Sequence, residues 1–188
     1  MGSTYYQWSK QMIGVVRHFK VNFKTKQYWM TADQFNHWVE QYDQAAIETA
    51  HPFHSTIMWD VCWSSDLLRA TNTAELIYDG VAEPTELLRE IGVKAVLLIK
   101  LKLPIHIWMM LGRIAWFCSH SSQSETKQQT IQRANQIIDM VEQNYAGANV
   151  LLVSHGAFMK VLFKELKRRG YKGKIVMTPK NGELYLFK

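Results

Sequence analysis

Apolar and polar positions along the chain alternate between two periods. The run Met12-Ile13-Gly14-Val15-Val16 is continuously apolar and short, which predicts a buried strand. It ends at Arg17-His18. Asn149-Val150-Leu151-Leu152-Val153 is a second such run, and it stops at Ser154-His155-Gly156 before a helical pattern begins. Thr56 to Trp63, rich in β-branched and aromatic residues, predicts a third strand that ends at Ser64-Ser65-Asp66.

Helical spacing fills the intervals. Thr31 with Gln34 forms a capping box, and Phe35, Trp38, Val39, Tyr42 and Ala46 follow on one face. Ser65 or Asp66 is placed to cap a helix carrying Leu67, Ala70, Ala74 and Ile77, with Arg69 in its first turn. Glu83 to Glu90 reads as a loop and short helix. Ser122 and Glu125 suggest a further capping box ahead of Ile131, Ala134, Ile138 and Val141, and the helix marked by Met159, Leu162, Phe163 and Leu166 runs to about Gly170. The pattern closes with Ile175 to Met177 and Leu184 to Phe187, a hairpin around Asn181-Gly182.

Strands alternating with helices predict an α/β protein, a three-layer α/β/α sandwich with a mostly parallel central sheet. At 188 residues the chain suits one domain over 12–188, with residues 1–11 as an extension or leader. The stretch Leu101–Cys118 is the most apolar, but Pro104, His106 and Arg113 interrupt it and it is too short for a spanning helix. It reads as a buried helix or cap, with membrane or partner contact through Leu103–Phe117 as the minor alternative.

Charge and cysteine content narrow the function. A formal charge of +6 favours an anionic partner, but the basic residues are scattered, which argues against a nucleic-acid partner. A phosphorylated small molecule or a phosphoprotein fits. Cys62 and Cys118 form no CxxC pattern and suit a reducing, cytoplasmic compartment. Cys62 and Arg69 stand one residue too far apart for a cysteine-phosphatase loop. His51 and His54, the close histidine pair, flank Pro52-Phe53 and read as a loop rather than a metal centre. If the three predicted strands are neighbours, Arg17, His18, Arg69 and His155 meet at one sheet edge, an arrangement suited to a phosphoryl group without a metal or other cofactor.

Val16-Arg17-His18, Ser64-Ser65-Asp66-Leu67-Leu68-Arg69-Ala70-Thr71-Asn72-Thr73-Ala74 and Val153-Ser154-His155-Gly156 together resemble the motifs of the histidine phosphatase superfamily, the phosphoglycerate-mutase-like fold. The resemblance implies His18 as a nucleophile that becomes phosphorylated, with Arg17, Arg69 and His155 completing the phosphate pocket. It implies a general acid at Glu90, in Leu88-Arg89-Glu90, with Glu86 and Glu83 as competitors. Phe19-Lys20-Val21 departs from the family's usual Gly and Glu-Thr, and Lys24 stands where many members have Asn. Lys20, Lys24 and Lys26 would then make a cationic substrate rim. The expected activity is metal-independent phosphomonoester hydrolysis of the histidine acid phosphatase type. Chain length disfavours the alternative of a phosphoglycerate-mutase-type transferase, and a non-catalytic phospho-ligand or partner-binding member is the other alternative.

Overall fold

The computed structural model describes residues 11–25, 27–48, 56–96 and 100–188. In chain order the elements are strand β1 (Met12–Arg17), a short strand β2 (Trp29–Met30), helix α1 (Ala32–Asp43) and strand β3 (Val61–Ser65). Helix α2 (Leu68–Ile77), strand β4 (Glu83–Thr85) and a 3-10 turn (Glu86–Leu88) come next. The chain continues with β5 (Leu103–Pro104), α3 (Ile105–Phe117), α4 (Lys127–Asn144), β6 (Asn149–Ser154), α5 (Gly156–Arg168) and β7 (Leu184–Phe187).

Five strands form one sheet in the order β4-β3-β6-β1-β7, and β2 pairs separately with β5. The first four strands of the large sheet are parallel, and β7 closes its edge antiparallel to β1. Because side chains alternate across a strand, each central strand feeds two cores. Ile13, Val15, Val150 and Leu152 pack with α4 and α5 through Ala134, Ile138, Phe158, Leu162 and Phe163. Val16, Leu151 and Val153 face the other way, onto Ala70 and Ala74 of α2. This is the three-layer sandwich that the apolar runs predict. A third cluster joins α1 to α3, where Phe35 and Trp108 are fully buried.

Several local expectations change. The capping box of α4 is Thr126 with Gln129, not Ser122 with Glu125. Glu125 is instead paired with Arg133 at 2.9 Å. Neither Ser65 nor Asp66 caps α2, whose N-cap is Leu67 without a side-chain bond; Asp66 accepts from Arg89 at 2.7 Å. The third strand starts at Val61 rather than Thr56, and Glu83–Thr85 is an edge strand rather than loop. Residues 175–177 form no strand, so the hairpin gives way to a turn in which Gly182, at φ 71°, precedes β7. The Thr31 and Gln34 capping box is present as predicted. His51 and His54 lie outside the described residues.

Candidate active site

Parallel register builds the site. Arg17 pairs with Ser154 across β1 and β6, so the next residues, His18 and His155, come side by side where both strands end. Their ring centroids are 5.0 Å apart. Ser64 of β3 pairs with Val153, which brings the start of α2, and with it Arg69, to the same edge. Ligands of open α/β sheets bind outside the carboxyl ends of the strands.

The turn before β7 fixes the Arg17-His18 segment. Arg17 Nη1 donates to the Pro179 carbonyl at 2.8 Å, Asn181 Nδ2 donates to the His18 carbonyl at 2.7 Å, and the Gly182 N–H donates to the Arg17 carbonyl at 2.8 Å. Phe19, which departs from the family's glycine, is accommodated by Gly182: a Cβ there would lie 2.6 Å from the Phe19 ring. The Phe19 N–H donates to Thr73 Oγ1 at 2.9 Å, so α2 also holds this loop. Gly156 lets α5 approach Arg17, since an added Cβ would sit 3.1 Å from its guanidinium carbon.

His18 is almost fully buried, and its Nδ1 lies 2.6 Å from the Phe19 carbonyl. A carbonyl only accepts, so the proton resides on Nδ1 and Nε2 keeps its lone pair. Burial, the Arg69 charge and the Arg17 charge push the His18 pKa down to about 3, against the Phe19 contact, which acts the other way. His155 is lowered well below the usual imidazole value, by burial first and then by Arg69, His18 and Arg17. Both rings are therefore neutral at pH 7.

Four buried polar atoms here have no hydrogen-bond partner: Arg17 Nε, Arg69 Nε and both ring nitrogens of His155. Buried polar atoms are rarely left unpaired, and the two guanidinium nitrogens among these are donors of a kind that suits an anion. Arg17, His18 and Arg69 line a cavity of about 690 Å³. His155 is wholly buried and does not reach the cavity wall.

The acidic candidates separate. Glu90 lines the cavity, and its carboxylate accepts from the N–H groups of Ala157 at 3.1 Å and Phe158 at 2.9 Å, in the first turn of α5. It therefore caps that helix from outside the helix's own sequence. Glu86 also lines the cavity and pairs with Arg89 at 3.3 Å, whereas Glu83 is exposed on β4 and does not. The structure does not bring Lys20 or Lys24 to the cavity. Lys20 pairs with Glu48 at 3.2 Å, and Lys24 lines a separate pocket beside Trp38 and Gln41.

Other cavity residues carried no sequence signal. Asp43 pairs with Arg69 at 3.0 Å, and burial raises its pKa despite that cation. Arg133 Nη1 donates to the carbonyls of Glu86, Leu87 and Arg89 at 3.3, 3.0 and 2.7 Å, fixing the turn that delivers Glu90. In a helix read by its apolar stripe, Arg133 looks like an ordinary solvent-facing cation. Among the described residues, no three His, Cys, Asp or Glu side chains gather as a metal site, and no helix is long and apolar enough to cross a membrane.

Comparisons with known proteins follow the same lines. The family model of the histidine phosphatase superfamily (branch 1) matches residues 39–187, a span that begins after Arg17-His18. No curated protein matches the chain. Among solved structures, the product of open reading frame Rv3214 from Mycobacterium tuberculosis aligns over 94% of this chain and 90% of its own, at TM-score 0.56 and 15% identity. Phosphoserine phosphatase from Entamoeba histolytica, in complex with phosphoserine, aligns over 95% and 90%, at TM-score 0.53 and 16% identity. YhfR from Bacillus stearothermophilus aligns over 84% and 80%, at TM-score 0.53 and 20% identity. At such identities the structural likeness speaks for the fold, phosphoglycerate-mutase-like, while the sequence match speaks for the family. The chain belongs to the histidine phosphatase superfamily, branch 1.

Proposed function

We propose that the protein is a phosphomonoester hydrolase that works through a phosphohistidine on His18. The observation that carries this reading is the pair of guanidinium groups, Arg17 and Arg69, that line one cavity with the neutral His18 ring and each keep an unpartnered nitrogen. Nε2 would attack phosphorus in line, forming the N–P bond as the P–O ester bond breaks. The guanidinium groups would hold the charge on the equatorial oxygens, and neutral imidazole is the form that can attack. Glu90 is the proposed acid: its proton would pass to the departing alkoxide, and its carboxylate would then take a proton from the water that opens the phosphohistidine. Inorganic phosphate leaves and His18 returns to its starting form.

The phosphoserine held by the Entamoeba relative supports a phosphorylated small molecule as substrate. The distribution of charge supports no nucleic acid. The experiment is turnover of p-nitrophenyl phosphate by the wild type and by His18→Ala, with circular dichroism to follow the fold. His18→Ala should lose at least about 1,000-fold in kcat, since removal of a nucleophile leaves only binding and electrostatic stabilisation. Turnover near the wild-type level in that variant would refute the nucleophile assignment.

A further inference from the structure

The cavity is much larger than a phosphate. Its volume is about 690 Å³, and it runs from the arginines to Val93, Met109 and Arg113. The wall next to the phosphate-side arginine is aromatic. Tyr42 lies with its ring centroid 5.2 Å from the Arg69 guanidinium carbon. Trp38 stacks on Tyr42 at 5.5 Å and 19°. Phe35 stacks on Trp38 at 6.2 Å, and Trp108 on Phe35 at 5.8 Å.

This column is anchored in the α1–α3 core, where Phe35 and Trp108 have no solvent exposure and the Trp108 indole donates to the Met30 carbonyl at 2.8 Å. Phe23 stands edge-on to both Trp38 and Tyr42, and Trp38 Nε1 donates to Thr25 Oγ1 at 3.2 Å. The two rings that border the cavity are thus held from behind and from the side. Val39, Val93 and Met109 continue the wall in apolar groups. A small polar alcohol would leave these surfaces against water.

We propose that the leaving-group side of the cavity takes an aromatic body, so that the substrate class is phosphomonoesters whose alcohol carries an aromatic ring. The inference rests on the hydrolase reading above, and it specifies what lies beyond the phosphate. A ring in that space would meet Trp38 and Tyr42 in the offset or edge-on geometries that aromatic pairs prefer, while Arg17 and Arg69 held the phosphate.

Aryl esters are intrinsically better leaving groups, so the test is a binding ratio. Calorimetry compares benzylphosphonate with methylphosphonate, which present the same anionic head and cannot be hydrolysed. Benzylphosphonate should bind at least about tenfold more tightly to the wild type, the usual scale for filling an apolar pocket, and the ratio should fall to within about threefold in Trp38→Ala. Trp38→Leu, which keeps bulk against Phe35, serves where the alanine variant does not fold. Equal affinities in the wild type, or a ratio untouched by loss of the indole, would overturn the proposal. Parallel turnover of p-nitrophenyl phosphate separates the two readings. Turnover without the aromatic preference removes the substrate class alone, and the preference without turnover removes the hydrolase reading while leaving the aromatic site standing.

Discussion

Two buried imidazoles and the guanidinium groups beside them set the behaviour of the site at the level of single residues. His18 and His155 are neutral in the fold but have ordinary pKa values when unfolded. Below about pH 6.5 the unfolded chain binds more protons than the folded one, so stability falls with pH through the window down to about pH 3, and is flat with respect to these groups above 6.5. For His18 the loss between pH 7 and pH 5 should be about 2 kcal/mol, and His155 adds to it in the same direction. Urea titrations across that interval should show the decline in the wild type and a shallower one in His18→Gln; a slope that survives the substitution unchanged would contradict the assigned protonation. Glu90 caps α5 and is also the proposed acid, and substitution can divide the two. Glu90→Gln keeps one of the two acceptor oxygens but sets an NH2 group against an amide that the other oxygen served, so a partial loss of the cap should accompany a fall in turnover of alkyl phosphates far greater than that of p-nitrophenyl phosphate, whose leaving group needs no proton. Glu90→Ala should in addition cost about 1 kcal/mol through loss of the cap, read from urea midpoints.

Whole elements show what the pattern of residues could and could not convey. The strands that end at Arg17-His18 and at His155 were legible because a buried parallel strand must be a short unbroken apolar run, and because chemistry in such sheets collects where those runs stop. Arg69 was legible through its place in the first turn of α2. Asp43 and Arg133 were not: each occupies a polar helix position like many others, and only the packing of α1 and α4 around the cavity gives it a neighbour. Glu125 misled as a capping residue because a carboxylate near a helix start can serve either the backbone or a guanidinium, and Arg133 claims it. The turn at Asn181-Gly182 forms, but the strand that the apolar pattern pairs across it does not, since the turn's hydrogen bonds go to Arg17 and His18. That turn yields a prediction at the same scale. Gly182→Val places a branched side chain at φ 71° against the Phe19 ring, and should destabilise the protein by about 2 kcal/mol or more in urea. Phe19→Gly removes a buried ring and costs stability by itself, so the steric part should show as a double variant that loses less than the sum of the two single losses.

At the scale of the molecule, β7 is the strand that connects overall stability to the site. Phe187 is fully buried against Phe163 at 5.1 Å, within the same core as β1 and α5. Phe187→Ala should cost about 3–5 kcal/mol, and fluorescence and circular dichroism should report the same unfolding midpoint. Two separated transitions would show that the edge strand melts apart from the sheet.

The strand order has one further consequence, for the way the protein comes into being. Among the described strands β1 is translated first, yet both of its neighbours, β6 and β7, are translated long after it. Until they arrive, the apolar segment that ends at Arg17-His18 has no hydrogen-bonded place to go, so its pairing is non-local and slow to form. A half-made chain consequently carries an unsheltered, aggregation-prone ribbon and no working centre, and the nascent protein should depend on chaperones for that first segment more than for any later one.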